Sequence, residues 1–492
     1  GGNNIAIGNQ ALNAPDTEGS NLAIGSNALG GAIAGGEFNV AIGNSSGTDL
    51  TSADHTAMVG YEAGANVTEG SGSTFMGYQA GFNTNTGQDN VYMGKTAGRG
   101  NTTGGRNIAI GQGAIYNADA EGNNVAIGYA SLGGSVAGGE YNVAVGNLTL
   151  DGLTSADNCT AVGYNAMSAA VTGSDNTAIG FQAGNGITGG VNNTIVGKNS
   201  GVSITTAQNC TLVGKDAGLN NTAHECTAFG SEAALGNTSG AGITALGREA
   251  YKQGDTEGHN LAIGAQAMAG AVNGGEYNVA VGNFSLDALT SGDNNVALGY
   301  NAGTAVTNGA NNTHLGYQAG DTLTTGDQNI FIGALVDPSG NDAQHQIVIG
   351  YNIAAGEDNQ VIFGKPSNTV ANEFDTDNAW TQSSDVRKKK NIKDAILGLD
   401  FVNDLRPVTY EWRPNNEFPK DFAEYSEENH MTLGVTMHGM IAQEVKTALD
   451  KTGVDRFGGW QEDEDGCQRL SKEMFVYPLI KAVQELSAQV TT

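Results

Sequence analysis

Apolar residues alternate with small ones in short bursts along most of this chain, and each burst ends on a glycine. In Asn21-Leu22-Ala23-Ile24-Gly25 the period is two, the pattern of a strand. The burst recurs with its glycine at Gly8, Gly25, Gly43, Gly60, Gly77, Gly94 and onward to Gly316, Gly333, Gly350 and Gly364. There are 22 copies, nearly all 16 to 18 residues apart. A short fixed period predicts a solenoid, in which each repeat is one coil and buries its apolar side by stacking on its neighbours. At the ~4.8 Å spacing of paired strands, 22 coils make a rod roughly 100 Å long.

Side chains three and one residues before the glycine share a face, as do Leu22 and Ile24, Val40 and Ile42, Val125 and Ile127, and Val279 and Val281. These are expected to fill the coil interior. The residue between them is usually Ala, and is expected to form a second packed face where another subunit can approach closely. A second short strand is expected after the glycine, as in Gly77-Tyr78-Gln79-Ala80-Gly81. Asn stands four residues before the glycine in 14 of the 22 copies. Stacked amides can bond along the axis as a ladder. Cys159, Cys210 and Cys226 occupy the same slot and read as small, buried, free thiols. Tyr61, Tyr78, Tyr129, Tyr164, Tyr300 and Tyr317 come directly after motif glycines, either to stack on sugars or to pack at the coil edge. Larger blocks recur over Leu29–Gly64, Leu132–Met167 and Met268–Gly303, which points to duplication of several coils at once.

Charge divides the chain in two. The total is −29, of which residues 1–384 carry −24 and residues 385–492 carry −5. A long acidic shaft repels nucleic acid, so none is expected as a partner. No apolar run approaches the ~20 residues of a membrane span, so no membrane insertion is expected. Metal binding needs clustered Cys and His at ligand spacing, which is absent from the sequence, and no cofactor is expected. Glu462-Asp463-Glu464-Asp465 lacks the spacing of a calcium loop and reads as a solvated turn. The first residues already lie in a repeat, with no initiator Met; the expectation is a piece whose attachment end is missing.

The Asn-x-Ala-Ile-Gly-x-x-Ala pattern of residues 1–364 resembles the head repeats of YadA-type trimeric adhesins. That resemblance implies a left-handed parallel β-roll assembled as an obligate trimer. After Ser384 the composition changes abruptly. The sequence reads Ser384-Asp385-Val386-Arg387-Lys388-Lys389, then Leu397 through Trp412, then His438-Gly439-Met440-Ile441-Ala442-Gln443-Glu444-Val445, and finally Tyr477 through Leu486. These four blocks, in this order, resemble the C-terminal intramolecular chaperone of phage endosialidases, tailspikes and tail fibres.

In that family the domain trimerises, drives folding of the β-stalk before it, and then cuts itself off. The family's Ser-Asp-x-Arg-x-Lys pattern falls on Ser384, Asp385, Arg387 and Lys389. The resemblance implies Ser384 as nucleophile, Lys389 as base and scission between Ser384 and Asp385. The chemistry is sound in principle, because a serine hydroxyl becomes a good nucleophile once a neutral amine takes its proton. Because Ser383 precedes Ser384, a slip of one residue would pair Ser383 with Lys388 instead. Arg387 and His438 are candidate supporting residues, His438 in either a catalytic or a packing role. Met474, Pro478, Ile480, Val483, Leu486 and Val490 recur at helical spacing over Leu470–Val490, which predicts a closing helix that packs on its copies in the trimer.

The expected fold is mostly β: a trimeric parallel β-roll or β-solenoid shaft of about 22 seventeen-residue coils over residues 1–364, a connector over 365–384, and a small α+β chaperone domain over 385–492 ending in a helix. The expected function is a phage tail fibre or receptor-binding shaft, a homotrimer in the virion tail. Its C-terminal domain drives trimerisation and folding and removes itself in a single Ser-Lys autoproteolytic turnover. Its partners would be a host-surface receptor, glycan or protein, and other tail proteins. The alternatives are a polysaccharide-degrading tailspike and a non-viral trimeric surface adhesin.

Overall fold

The computed structural model describes residues 2–15, 19–117, 119–134, 137–373, 385–422, 425–429, 431 and 433–491. The chain divides into two compact units, Gly1–Ser383 and Ser384–Thr492.

The first unit is a β-solenoid. One 23-stranded sheet runs its length, and all its strands pair in parallel except the last, Asn368–Glu373, which turns back antiparallel on Gln360–Lys365. The remaining 22 are the motif strands, bounding 21 turns of the chain. Motif pairs with motif in strict register: Ala109, Ala126 and Ala144 are neighbours in one row. The register survives the irregular coils. Leu22 pairs with Val40 across an 18-residue step and Thr211 with Thr227 across a 16-residue step, so the turns absorb the change in length.

The motif glycine is required by close approach. At Gly60 the backbone has φ +141°, and a β-carbon there would lie 2.4 Å from the carbonyl oxygen of Gly77 on the next coil. Any side chain would force the coils apart at this corner.

The interior is the reverse of the expected one. Past the first, end-exposed coil the middle residue of the motif strands points inward: Ala23, Ala41, Met58, Phe75, Tyr92, Ala109 and Ala126 are all fully buried. The flanking aliphatic residues point out, and Ile127 is 38%, Leu298 46% and Phe229 53% exposed. The physical reason is the width of the coil. Ala63, Ala80 and Ala97, three residues past the glycine, and Leu29, Leu132 and Leu150, four past it, already occupy the inside. Only one more inward residue per strand fits, and it must be small where the residue four past the glycine is large. In most coils the segment after the glycine is a turn and not the expected second strand, with Gln79 at φ 52° and Gly81 at φ +60°. At the end of the shaft the second strand is present, where Val336–Asp337 pairs with Ile353–Ala354.

The asparagine slot forms the expected ladder, mainly through backbone partners. Asn107 N–H donates to Asn90 Oδ1 at 2.8 Å, Asn124 N–H to Asn107 Oδ1 at 2.9 Å, and Asn107 Nδ2 to the Glu121 carbonyl at 2.8 Å. Each amide thus satisfies buried backbone groups that the corner would otherwise leave unpaired. Cys159, Cys210 and Cys226 sit in this slot, buried and free. Burial pushes the Cys226 thiol up to about 12, which leaves it unreactive.

The second unit is a small α+β body. Helix α1 is Leu399–Asp404, α2 is Ala442–Lys451 and α3 is Val476–Thr491. Strand Val408–Tyr410 pairs with Met437–Gly439, and Trp460–Glu462 forms a hairpin with Gln468–Leu470. Its core is Leu397, Phe401, Ala448 and Leu449, with Phe457 set edge-on between Phe401 and Phe475. The closing helix begins at Val476, later than the apolar spacing suggested, because Leu470 belongs to the hairpin and Lys472–Phe475 is a 3-10 turn. The run Glu462–Asp465 lies at the tip of that hairpin, where Asp463 pairs with Arg469 and Asp465 Oδ1 accepts the Cys467 N–H.

Candidate functional site

The serine proposed as nucleophile, Ser384, lies outside the described residues, as does Ser383 of the alternative register. The chain is described from the next residue onward. Asp385 precedes a single 3-10 turn, Val386–Lys388, and its Oδ1 accepts the Arg387 N–H at 2.8 Å as an N-cap. The Arg387 guanidinium returns to the same carboxylate, with Nε 3.0 Å from Oδ1 and Nη2 2.6 Å from Oδ2. This fork raises the Arg387 pKa above its ordinary value. Asp385 and Arg387 therefore act as one local unit that fixes the chain just past the expected scissile bond. Lys389 ends the turn, its N–H donating to the Val386 carbonyl at 3.0 Å, and its side chain is exposed.

His438 lies elsewhere in the unit. It sits on strand Met437–Gly439 opposite Thr409, with its ring exposed. Its ring makes no side-chain hydrogen bond among the described residues, so the structure does not join it to Asp385 or Arg387.

Two contacts hold the unit together, each joining residues from different motif blocks. Leu399 N–H, at the start of α1, donates to Glu485 Oε2 of α3 at 2.7 Å. A carboxylate at a helix N-terminus meets unpaired N–H groups and the positive end of the dipole. Arg406 forks onto Glu444, with Nε 3.0 Å from Oε2, and the guanidinium draws the Glu444 pKa below its usual value. Both pairs link sequence blocks dozens of residues apart, and a local pattern carries no signal for such a link.

Much apolar surface is left uncovered on this unit. Pro478 and Ala482 bury one face of α3, while Tyr477, Leu479, Ile480, Val483 and Leu486 are exposed, and Val490 is 80% exposed. No group of three or more His, Cys, Asp or Glu among the described residues is placed to hold a metal ion.

No curated protein matches this chain. Residues 384–454 match the family model of peptidase S74, described as the chaperone of endosialidase, and membership of that family implies autoproteolysis in general. The match opens at Ser384 and takes in α1, the paired strands and α2. With a long β-solenoid before it, this chaperone-of-endosialidase domain gives the chain the build of a tailspike or fibre protein with a C-terminal chaperone.

Proposed function

We propose that this chain is the shaft and folding domain of a phage tail fibre that contacts the host surface. In this reading three copies assemble, the C-terminal domain sets their register, and autoproteolysis between Ser384 and Asp385 then releases residues 385–492. The observation that carries the reading is a coincidence of boundaries. The chain's compact units divide between Ser383 and Ser384, and the family match opens at Ser384.

Two further features support it. The outward aliphatic rows of the shaft and the exposed face of α3 are apolar surfaces of the kind that association covers. The coil-to-coil strand pairs lie within one chain, mostly 16 to 18 residues apart, so they do not align three copies, a task the C-terminal domain would fill. In the proposed chemistry Lys389 takes the proton of a Ser384 hydroxyl, whose oxygen bonds to the Ser384 carbonyl carbon. The peptide bond to Asp385 breaks, the proton passes from Lys389 to the leaving amine, and water hydrolyses the resulting ester to free the hydroxyl again. A carboxylate is left on Ser384 and an amine on Asp385. Attack of a serine on its own carbonyl carbon would close a four-membered ring, so the hydroxyl is best supplied by Ser384 of a second copy. Assembly would also bury Lys389, whose side chain is exposed in one chain. Loss of the clamp then leaves a shaft protected by its unfolding barrier.

The test is the intact mass and native size of the purified protein beside Ser384→Ala. The wild type should lose residues 385–492, about a fifth of the 50.2 kDa chain, and remain associated. The variant should stay full length. Cleavage that persists in the variant, or an uncut wild type, would overturn the assignment.

A further inference from the structure

The turns after the motif glycines form regular rows of side chains along the shaft, and in one place two of these rows are broken together. The row two residues past the glycine runs Glu62, Gln79, Thr96, Gly113, Ala130, Leu148. Elsewhere in it neighbouring side chains meet, as where Gln79 Nε2 donates to Glu62 Oε2 at 2.7 Å. At Gly113 a β-carbon would meet nothing within 4 Å, and Ala130 fills little more. The row five residues past the glycine runs Phe82, Arg99, Tyr116, Gly133, Asp151. The Arg99 guanidinium bridges the Phe82 and Tyr116 rings at 5.5 and 5.6 Å, and the row then lacks a side chain at Gly133, where a β-carbon would lie 3.0 Å from the Ala130 carbonyl oxygen.

The result is a cleft of about 350 Å³ walled by Tyr116, Tyr129 and Asp151. Tyr129 is 51% exposed, so its ring is available to a ligand. Asp151 Oδ1 is buried. The backbone N–H groups of Asp151 and Gly152 hydrogen-bond its carboxylate, which fixes the side chain at the cleft wall.

The duplicated block further along the chain supplies an internal comparison. There Glu249, Gln266 and Lys252 stand where Gly113, Ala130 and Tyr116 stand here. Gln266 Nε2 donates to Glu249 Oε2 at 2.6 Å and Lys252 lies 3.4 Å from Glu249, so the space is filled. Asp287, the counterpart of Asp151, accepts a hydrogen bond from the Thr304 hydroxyl. The same fold therefore closes this space in one copy and leaves it open and aromatic in the other.

From this geometry we infer a saccharide-binding cleft that takes a neutral pyranose unit of a surface glycan. The C–H face of the sugar would lie on the Tyr129 ring, and ring hydroxyls would meet the polar groups of Gln112 and Asp151 that line the cleft. The volume is at the small end of ligand pockets, which run from about 300 to 1,000 Å³. The −24 charge of residues 1–384 disfavours sialic or uronic acids. The cleft lies on the turns and not on the aliphatic strand face. The inference deepens the proposed host contact and rests on that reading for the source of the ligand.

The test is saturation-transfer NMR of the full chain with millimolar methyl glycosides of glucose, galactose and N-acetylglucosamine. At least one glycoside should receive transfer from the wild type. Tyr129→Ala, Asp151→Asn and Ala130→Gln should each cut that signal about fivefold or more, while Tyr317→Ala on a distant coil should not. Ala130→Gln fills the notch as Gln79 and Gln266 fill theirs, at similar positive φ, and leaves ring and carboxylate in place. No transfer to any glycoside, or a signal that survives both Ala130→Gln and Tyr129→Ala, overturns the inference. Cleavage and association are read separately by mass, so the fibre reading and the cleft can fail independently.

Discussion

A β-carbon on Gly81 would lie 2.6 Å from Cδ1 of Phe75, so the two positions share one volume inside the coil. The same exchange recurs along the shaft. Tyr92 faces Gly98 and His314 faces Gly320, whereas Ala126 is accompanied by Leu132, Ala144 by Leu150 and Ala161 by Met167. Phe75→Ala alone should cost about 3–5 kcal/mol as a cavity. Gly81→Leu alone should cost about 1–3 kcal/mol by overpacking. The double variant recreates the Ala126–Leu132 arrangement, at a φ that Leu132 itself adopts (49°), and should recover most of the loss. Apparent melting temperatures of the three variants decide this; a double variant as unstable as the sum of the singles would show that the volumes are independent.

Removing one rung of the asparagine ladder should be felt on both sides of it. Asn107→Ala strands the Asn124 N–H and the Glu121 carbonyl, both buried at a coil corner. A stranded buried group costs about 1–3 kcal/mol. Asn107→Ser should be milder, since Ser73 occupies this slot and its hydroxyl accepts the Asn90 N–H at 3.1 Å. Hydrogen exchange at Asn124 would report the difference locally, and equal protection in both variants would refute it.

Acid should weaken the shaft at one identifiable coil. His314 is fully buried against Phe331, and burial lowers its pKa from 6.5 to about 4. Its neutral form contributes stability that is complete above pH 6.5 and is lost as pH falls toward about 4, at most about 3 kcal/mol. Asp337 has the opposite sign. Burial and the neighbouring Asp321 raise it from 3.8 to about 6, so its contribution is complete below pH 3.8 and lost as pH rises through 6. His314→Phe should flatten the acid limb between pH 6.5 and 4, and Asp337→Asn should steepen it. Urea midpoints across that window test both.

Charge placed on the outward strand face should weaken association without unfolding the coil. Ile110 and Ile127 are adjacent in the sheet and both point out. The double variant Ile110→Asp, Ile127→Asp should keep its β-rich circular dichroism and dissociate at lower denaturant than the wild type in light scattering. An unchanged dissociation midpoint would place the interface elsewhere.

Much of this was legible from period alone. The recurring glycine gave the coil, the strand and the register, because a two-residue alternation repeated at a fixed step has few ways to stack. The choice of inner face was not legible. In Leu22-Ala23-Ile24 all three residues are apolar, so alternation says which two share a side and not which side is inside. That choice was made by Ala28 and Leu29 on the next turn, which crowd the interior and admit only Ala23. The turn itself escaped because Tyr78-Gln79-Ala80 carries no strong turn residue and Gln79 takes positive φ by position. At the C-terminal site, Asp385 and Arg387 were legible as neighbours, being two residues apart. Glu485 reaching Leu399 depends on tertiary packing that no local motif encodes.

The direction of the coil-to-coil bonds has a mechanical consequence. Val125 N–H donates to Asn142 O and Gly146 N–H to Ile127 O, and such bonds point from coil to coil along the stack. A pull along the shaft therefore loads the coil boundaries in series, and the force sustained by one chain is that of its weakest joint. Yielding would come one coil at a time, each releasing about 50–60 Å of chain at ~3.3–3.6 Å per residue. A fibre so built would lengthen stepwise under load before it let go.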